Sequence, residues 1–180
     1  MRIPFLFFIL LQTCLVFAQS NENSNTRNLI NKANLSLIER DKNHVAILKS
    51  GIGETVTFFP IEISDLKTGQ TVKALQVDMA ISCMYAKSSW VDYDEIAEFI
   101  TFLDKYVMPR FSVNTSENIS LTYVFSSKEI MVQFEVGDNN NRLSIFLKNN
   151  DGFDSQCYFW TETQIGKTQE LLAVLQSFKP

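Results

Sequence analysis

The sequence predicts an α+β protein with a mainly antiparallel sheet in two strand blocks, each followed by a helix that packs on the apolar sheet face. Three observations support this prediction. Short segments alternate apolar and polar residues with a period of two, as half-buried strands do. Short turns separate these segments, which favours hairpins and therefore antiparallel pairing. Two other segments, 96–107 and 161–178, repeat apolar residues at helical spacing.

The first strand block covers residues 45–83. A short apolar run at 45–48 ends in a glycine-containing turn, and the next segment, 55–64, changes the parity of its apolar residues at Phe59–Pro60. Because proline cannot donate to a strand ladder, this change predicts a bulge or an edge position. The segment 75–83 alternates most regularly, and its even-numbered residues predict one face open to water.

The first long helix is predicted to begin at a capping box. Asp92 and Glu95 have the spacing at which two side chains bind free N–H groups of a first helical turn. Apolar residues then recur on one face as far as Val107, and Pro109 ends the helix.

The second strand block covers residues 119–159, with turns at 126–129, 137–141 and 149–152. A closing helix is predicted from Thr161 to Phe178, because Thr161 and Gln164 repeat the capping-box spacing.

The composition excludes several classes of partner. The chain has 180 residues, with 16 Lys and Arg against 20 Asp and Glu, and this acidic balance argues against nucleic acid. His44 is the single histidine, and no cysteine pair has zinc-ligand spacing, so no metal site is expected. We predict no cofactor. No stretch after the N-terminal one is apolar for long enough to span a membrane.

The N-terminus has the pattern of a secretory signal peptide. A positive start at Arg2, an apolar run over residues 3–11 and the small residue Ala18 predict export to the periplasm or the extracellular space, with cleavage after Ala18. Two alternatives are a membrane anchor and a lipoprotein modified at Cys14.

Cleavage would leave two regions. The polar, asparagine-rich residues 19–28 predict a disordered leader, and residues 29–180 predict a single α+β domain. The segment 29–37 is ambiguous between a short helix and a first strand.

Asp92, Asp94 and Glu95 form the densest group of carboxylates. Paired carboxylates can perform acid–base catalysis, which would make the protein a small secreted hydrolase. The favoured interpretation is structural, because acids in a first helical turn cap free N–H groups and complement the helix dipole. We therefore predict no catalytic residue. His44 is predicted to be a surface residue.

Four aromatic residues are the candidate ligand-binding residues. Trp90 and Tyr93 lie where the first helix begins, and Tyr158 and Trp160 share the face of the last strand opposite Cys157 and Phe159. Rings on an exposed sheet face can bind sugars or a partner chain. The alternative is that the rings pack beneath a loop or a helix.

Cys83 and Cys157 form a candidate disulfide. Each lies on the apolar parity of its strand, and an exported chain meets an oxidising compartment. The alternative is two buried free thiols.

These observations predict an exported binding or interaction module with an unknown protein or glycan partner, rather than an enzyme. The alternatives are the hydrolase described above and an envelope protein that assembles with itself, for which a homo-oligomer is expected.

Overall fold

The computed structural model describes residues 23–80, 86–113, 115–116, 118–138, 140–149 and 152–178. These residues form an α+β protein with a five-stranded and a four-stranded antiparallel sheet. Each strand block is followed by a helix, so the predicted fold class is confirmed. Within the described ranges, no helix is long and apolar enough to cross a membrane.

The first sheet has the strand order β1-β3-β4-β5, and β2 also pairs with β3. All of its pairings are antiparallel. The strand bounds are Ser36–Arg40 for β1, Ala46–Lys49 for β2, Thr55–Asp65 for β3, Thr71–Ala80 for β4 and Lys87–Asp92 for β5.

Strand β3 buries opposite faces in its two halves, as the parity change at Phe59–Pro60 indicates. Val56 and Phe58 belong to the main core, whereas Ile61 belongs to a second, smaller cluster. The expected bulge is absent from the β3–β4 ladder, which is unbroken. The pairing is interrupted on the opposite edge of β3. There β1 pairs with one half of β3 and β2 with the other, and residues 41–45 connect the two strands. The missing N–H of Pro60 therefore costs no ladder hydrogen bond.

Strand β4 has less water-exposed surface than its alternation predicts. Leu75, Val77 and Met79 are buried on one face as expected, but Ala74 and Gln76 are buried on the other. Helix α1, Asn25–Lys32, covers that second face through Leu29. The last residues of the predicted strand, Ile81 and Cys83, lie outside the described residues.

Helix α1 also begins earlier than the sequence indicates. Its N-cap is Ser24 and its first residue is Asn25, within the segment that we expected to be a disordered leader. Residues 24–27 are bound by side chains from distant parts of the chain, described below, and no local pattern encodes those contacts.

The region between the two sheets is helical, as predicted. A 3-10 turn at Tyr93–Glu95 leads into helix α2, Ile96–Phe102, which continues as a π-helical turn at Leu103–Val107 and a 3-10 turn at Met108–Arg110. The predicted capping box of Asp92 and Glu95 is present.

The second sheet has the strand order β6-β7-β8-β9, and all its pairings are antiparallel. The strand bounds are Leu121–Ser126 for β6, Ile130–Val136 for β7, Asn141–Asn149 for β8 and Gly152–Thr161 for β9.

Helix α3 spans Thr168–Gln176, so the predicted start at Thr161 is wrong. Thr161 is the last residue of β9 and pairs with Leu143. Its hydroxyl accepts the N–H of Gln164 at 3.2 Å, as the capping pattern implies, but this bond shapes a turn before the helix.

One main core joins the two sheets with α2 and α3. The rings of Phe99 in α2 and Phe125 in β6 stack within it, with centroids 4.5 Å apart. Cys157 is buried in the same cluster and has no disulfide partner among the described residues. Cys83 lies outside the described ranges, so the disulfide stays a prediction.

Candidate functional site

A groove of about 850 Å³ lies on the first sheet, beside the start of the α2 region and the end of α3. It brings together four of the side chains singled out from the sequence: His44, Asp92, Tyr93 and Asp94. The other residues that line it are Asn25, Glu39, Arg40, Asp41, Pro60, Ile61, Glu62, Thr71, Val72, Lys73, Ser177 and Phe178.

The aromatic side of the groove consists of Tyr93 and Phe178. Tyr93 is the first residue of the turn after β5 and is 44% exposed. Its ring lies 6.4 Å from that of Phe178, between centroids, with the two planes tilted by 45°. Phe178 packs in turn against the main core. The Tyr93 ring is therefore supported from behind while part of its surface stays open to solvent.

Charged residues from three adjacent strands line another part of the groove. Glu39 of β1 is directly opposite Glu62 of β3, and Glu62 is directly opposite Lys73 of β4. Lys73 Nζ lies 3.9 Å from the Glu62 carboxylate. Two like charges directly opposite each other on neighbouring strands destabilise a sheet. None of these three side chains forms a hydrogen bond with another described residue, so their donors and acceptors are available to a ligand in the groove.

The loop between β1 and β2 forms the rim of the groove. His44 Nδ1 lies 2.6 Å from Asp41 Oδ2, and both side chains are at least one-third exposed. The hydrogen bond from His44, with a second from the N–H of Asn43, lowers the pKa of Asp41. His44 is exposed, as predicted. Its ring contacts the carboxylate of Asp41 and not a serine or cysteine that could act as a nucleophile.

Asp92 lies at the inner end of the groove and is only 2% exposed. Its carboxylate accepts the N–H of Asn25 at 2.7 Å, the N–H of Thr26 at 3.1 Å and the hydroxyl of Thr26 at 2.8 Å. It also accepts Lys128 Nζ at 3.0 Å. Asp92 therefore binds free N–H groups of α1 and also belongs to the capping box at the start of the α2 region.

Glu129, in the turn between β6 and β7, binds the same helix from the other sheet. Its carboxylate accepts the N–H of Ser24 at 3.2 Å and the Ser24 hydroxyl at 2.5 Å. Arg27 donates to it through Nε and Nη2, each at 2.8 Å. The N–H of Trp90 donates to it at 3.1 Å. We call Asp92 and Glu129, with the Ser24–Arg27 segment that they bind, the clamp.

The pKa values within the clamp follow from these contacts. Burial raises the pKa of Asp92, but the hydrogen bonds from Asn25, Thr26 and Lys128 outweigh burial and hold that pKa below its usual value. Burial lowers the pKa of Lys128, but the hydrogen bond with Asp92 outweighs burial and raises that pKa above its usual value. Both groups are therefore charged at neutral pH.

Glu95 has a different balance. Burial raises its pKa above the usual value, although it accepts the N–H of Lys128 at 2.9 Å and the N–H of Asp92 at 3.0 Å. These bonds join the start of the α2 region to the turn between β6 and β7.

The three candidate carboxylates thus have different surroundings. The oxygens of Asp92 and Glu95 already accept hydrogen bonds from the protein. Asp94 is exposed, lines the groove and makes no hydrogen bond with another described residue.

The other three predicted aromatic residues lie elsewhere. Trp90 packs against the smaller cluster beneath α1, with the Arg27 guanidinium 4.8 Å from its ring centroid. Its indole Nε1 is buried and has no hydrogen-bond partner among the described residues. The four predicted ligand-binding residues therefore do not form one site.

Tyr158 and Trp160 lie on the outer face of the second sheet. Tyr158 is 43% exposed and stacks on Phe146 at 5.9 Å. The Arg142 guanidinium lies 4.9 Å from the Trp160 ring and pairs with Glu162 at 2.9 Å. This face therefore carries one aromatic stack and one cation–π pair, and neither lines the groove on the first sheet.

Sequence reasoning missed most of the groove and half of the clamp. Glu62 and Lys73 have the pattern of an ordinary solvated strand face, and Phe178 that of a helix's apolar face. Glu129 lies in a polar turn, two residues after Ser127, and its local sequence is that of an ordinary surface acid. Only the alternation that predicts the β3–β4 hairpin could have placed Glu62 opposite Lys73.

No protein-family model and no curated protein matches this chain. Within the described ranges, no group of three or more His, Cys, Asp or Glu side chains is arranged to hold a metal ion.

Proposed function

We propose that this protein is an exported, non-enzymatic binding module and that its groove takes a short glycan. The observation that carries the proposal is the half-exposed Tyr93 ring beside a row of charged strand residues in one groove of about 850 Å³. This volume lies within the range of small-ligand sites.

The chemistry of the groove matches the two surfaces of a sugar ring. A pyranose has one face of C–H groups, which packs on an aromatic ring, and an edge of hydroxyl groups, which both donate and accept hydrogen bonds. Tyr93, fixed against Phe178, supplies the first surface. Glu62 and Lys73 supply an acceptor and a donor within the same groove.

Binding without catalysis is favoured by the state of the carboxylates. A hydrolase of the paired-carboxylate type needs two acids that are free to act on one glycosidic bond. Asp92 lines the groove beside Asp94, but its oxygens already accept four hydrogen bonds from Asn25, Thr26 and Lys128. Of the three carboxylates singled out from the sequence, Asp92 and Glu95 both accept hydrogen bonds from the protein, so neither is free to act as a second acid beside Asp94.

A glycan microarray probed with the mature chain tests the proposal, followed by calorimetric titration of the glycan that binds best. In the Tyr93→Ala variant we expect the Kd to rise by about tenfold or more, since an aromatic anchor is removed. Tyr158→Ala is the matched control, because Tyr158 is as exposed as Tyr93 but lies on the other sheet. Its Kd should not change.

Two results would contradict the groove assignment. Equal Kd values for Tyr93→Ala and the unchanged chain would exclude Tyr93, and weaker binding by Tyr158→Ala would move the site to the second sheet. Binding to no glycan on the array, together with capture of a protein ligand that Tyr93→Ala loses, would favour the protein partner instead.

The hydrolase alternative rests on Asp94, which faces the groove. Incubation of the bound glycan with the mature chain should release no shorter product. Product release that Asp94→Asn abolishes would favour the hydrolase.

A further inference from the structure

Strand β6 forms an open edge of the second sheet. Among the described residues, its backbone pairs with β7 alone. The N–H and C=O groups on its other side are therefore available to another strand, and such an edge is a template for pairing with a further chain.

Charged side chains on an edge strand oppose such pairing, and among the described edge strands β6 alone has none in its sequence. The strand β6 has the sequence Leu-Thr-Tyr-Val-Phe-Ser, with no charged residue, and residues 119–127 contain no proline or glycine. The other edge strands all contain charged residues: Glu39 and Arg40 in β1 and Lys49 in β2 are exposed, Lys87 lies in β5, and the sequence of β9 includes Asp154.

The side chains around this edge are exposed and apolar. Ile119 is 53% exposed, Leu121 43% and Val124 52%. Thr122 and Ser126, which share the outer-face parity of Val124, are also exposed and uncharged. The outer face of this edge thus combines backbone groups that pair with no described strand with exposed, uncharged side chains. On the inner face, Tyr106 stacks on Tyr123 and the Arg110 guanidinium lies 4.7 Å from the centroid of the Tyr123 ring.

We propose that β6 pairs antiparallel with β6 of a second copy of this chain, about a two-fold axis perpendicular to the sheet. Such a contact uses the same surface on both copies. Any charged residue near the axis would face its own equivalent, and like charges directly opposite each other destabilise a sheet. Of the edge strands described, β6 alone meets this condition along its whole length, which favours an identical strand as the occupant.

The two-fold axis also fixes the pairing. Residues on the same face must lie opposite each other, so with Val124 on the axis Thr122 faces Ser126 of the other copy. The exposed valines of the two copies then meet on the outer face, and Tyr123 faces Phe125 of the other copy on the inner face. The two sheets become continuous, and their outer faces, each with Tyr158 and Trp160, form one surface. This proposal does not depend on the glycan groove.

Sedimentation equilibrium of the mature chain tests the proposal. We expect a concentration-dependent dimer, and we expect Val124→Lys to raise its Kd by about tenfold or more because the two lysines face each other. Ile47→Lys is the matched control: Ile47 is 40% exposed and lies on edge strand β2. This variant should dimerise as the unchanged chain does. Circular dichroism and Tm confirm that each variant is folded.

A mixing experiment supplies a positive test. Val124→Lys and Val124→Glu should each be monomeric alone and should form a one-to-one heterodimer when mixed, because opposite charges then face each other. A chain that stays monomeric at millimolar concentration would overturn the proposal and leave β6 to a strand of another protein. A dimer that Val124→Lys leaves unchanged would overturn the assignment to this edge.

Discussion

Asp92 and Asp94 are two residues apart, yet they belong to regions with opposite properties. In the clamp, Asp92 is 2% exposed and accepts hydrogen bonds from two other parts of the chain. In the groove, Asp94 is exposed and makes no hydrogen bond with another described residue. The role of an acid is therefore set by the donors that reach it and not by its local sequence. The clamp should determine stability, and the groove should determine binding.

The largest effect is expected when the clamp loses Glu129. Glu129→Ala removes the acceptor of five hydrogen bonds from Ser24, Arg27 and Trp90. The free energy of unfolding should fall by about 3 kcal/mol, since a buried ion pair is broken. Urea unfolding measures it.

The control for this prediction is Glu135→Ala. Glu135 is exposed on the neighbouring strand β7 and accepts one hydrogen bond, from the Ser120 hydroxyl. Its change should stay within about 0.5 kcal/mol. Equal losses in the two variants would show that the clamp is no more important than the surface.

The next effect concerns Asp92. Asp92→Asn keeps the shape of the side chain but leaves Lys128 without its ion-pair partner, so the free energy of unfolding should fall by about 2 kcal/mol at pH 7. Asp94→Asn is the matched control, and it should change this free energy by less than about 0.5 kcal/mol.

The pH dependence of this difference has a definite sign. Because the folded-state pKa of Asp92 is lowered, its stabilisation is present above the ordinary aspartate pKa and is lost as pH falls through the folded-state value. The stability difference between the unchanged chain and Asp92→Asn should therefore shrink on acidification below about pH 4. Glu95 contributes with the opposite sign, because burial raises its pKa, and the charge of Asp92 adds to that rise. A difference that is constant with pH would contradict the assignment.

The smallest effect on stability, and a large one on binding, is expected for Asp94. Asp94→Asn should weaken binding of the selected glycan by about tenfold, the value of one hydrogen bond to a charged group. Calorimetric titration measures it, with Glu98→Gln as control, since Glu98 is exposed in the adjacent helix α2 but does not line the groove. An unchanged Kd would remove Asp94 from the site.

The parts of the fold that follow from local patterns could be predicted from the sequence. Alternation predicted β3 and β4 and the four strands of the second sheet, a short apolar run predicted β2, and the spacing of Asp92 and Glu95 predicted the start of the α2 region. Strand β1 was ambiguous between helix and strand, and β5 was not predicted. The change of buried face at Pro60 was visible as a parity change, although its cause lies in the interruption between β1 and β2.

The parts that depend on long-range contacts could not be predicted. Asn25 and Thr26 are polar and gave no helical pattern, because the partner that fixes them is Asp92, more than 60 residues away. The groove forms where β1, β3 and β4 lie beside the ends of two helical segments. The sequence of any one of these segments does not show that they come together. Tyr93 was found because an aromatic residue beside a helix start is unusual, whereas Glu62 and Lys73 were not.

The clamp has a consequence for the order in which the chain acquires structure. Ser24 and Glu129 are 105 positions apart, and synthesis runs from the N-terminus. An eight-residue helix is marginal in isolation, so residues 25–32 depend on Asp92 and Glu129, and their contacts are complete only when residue 129 has been made. Closing so long a loop is entropically unfavourable and slow. The described segment that is synthesised first is therefore among the last to be fixed.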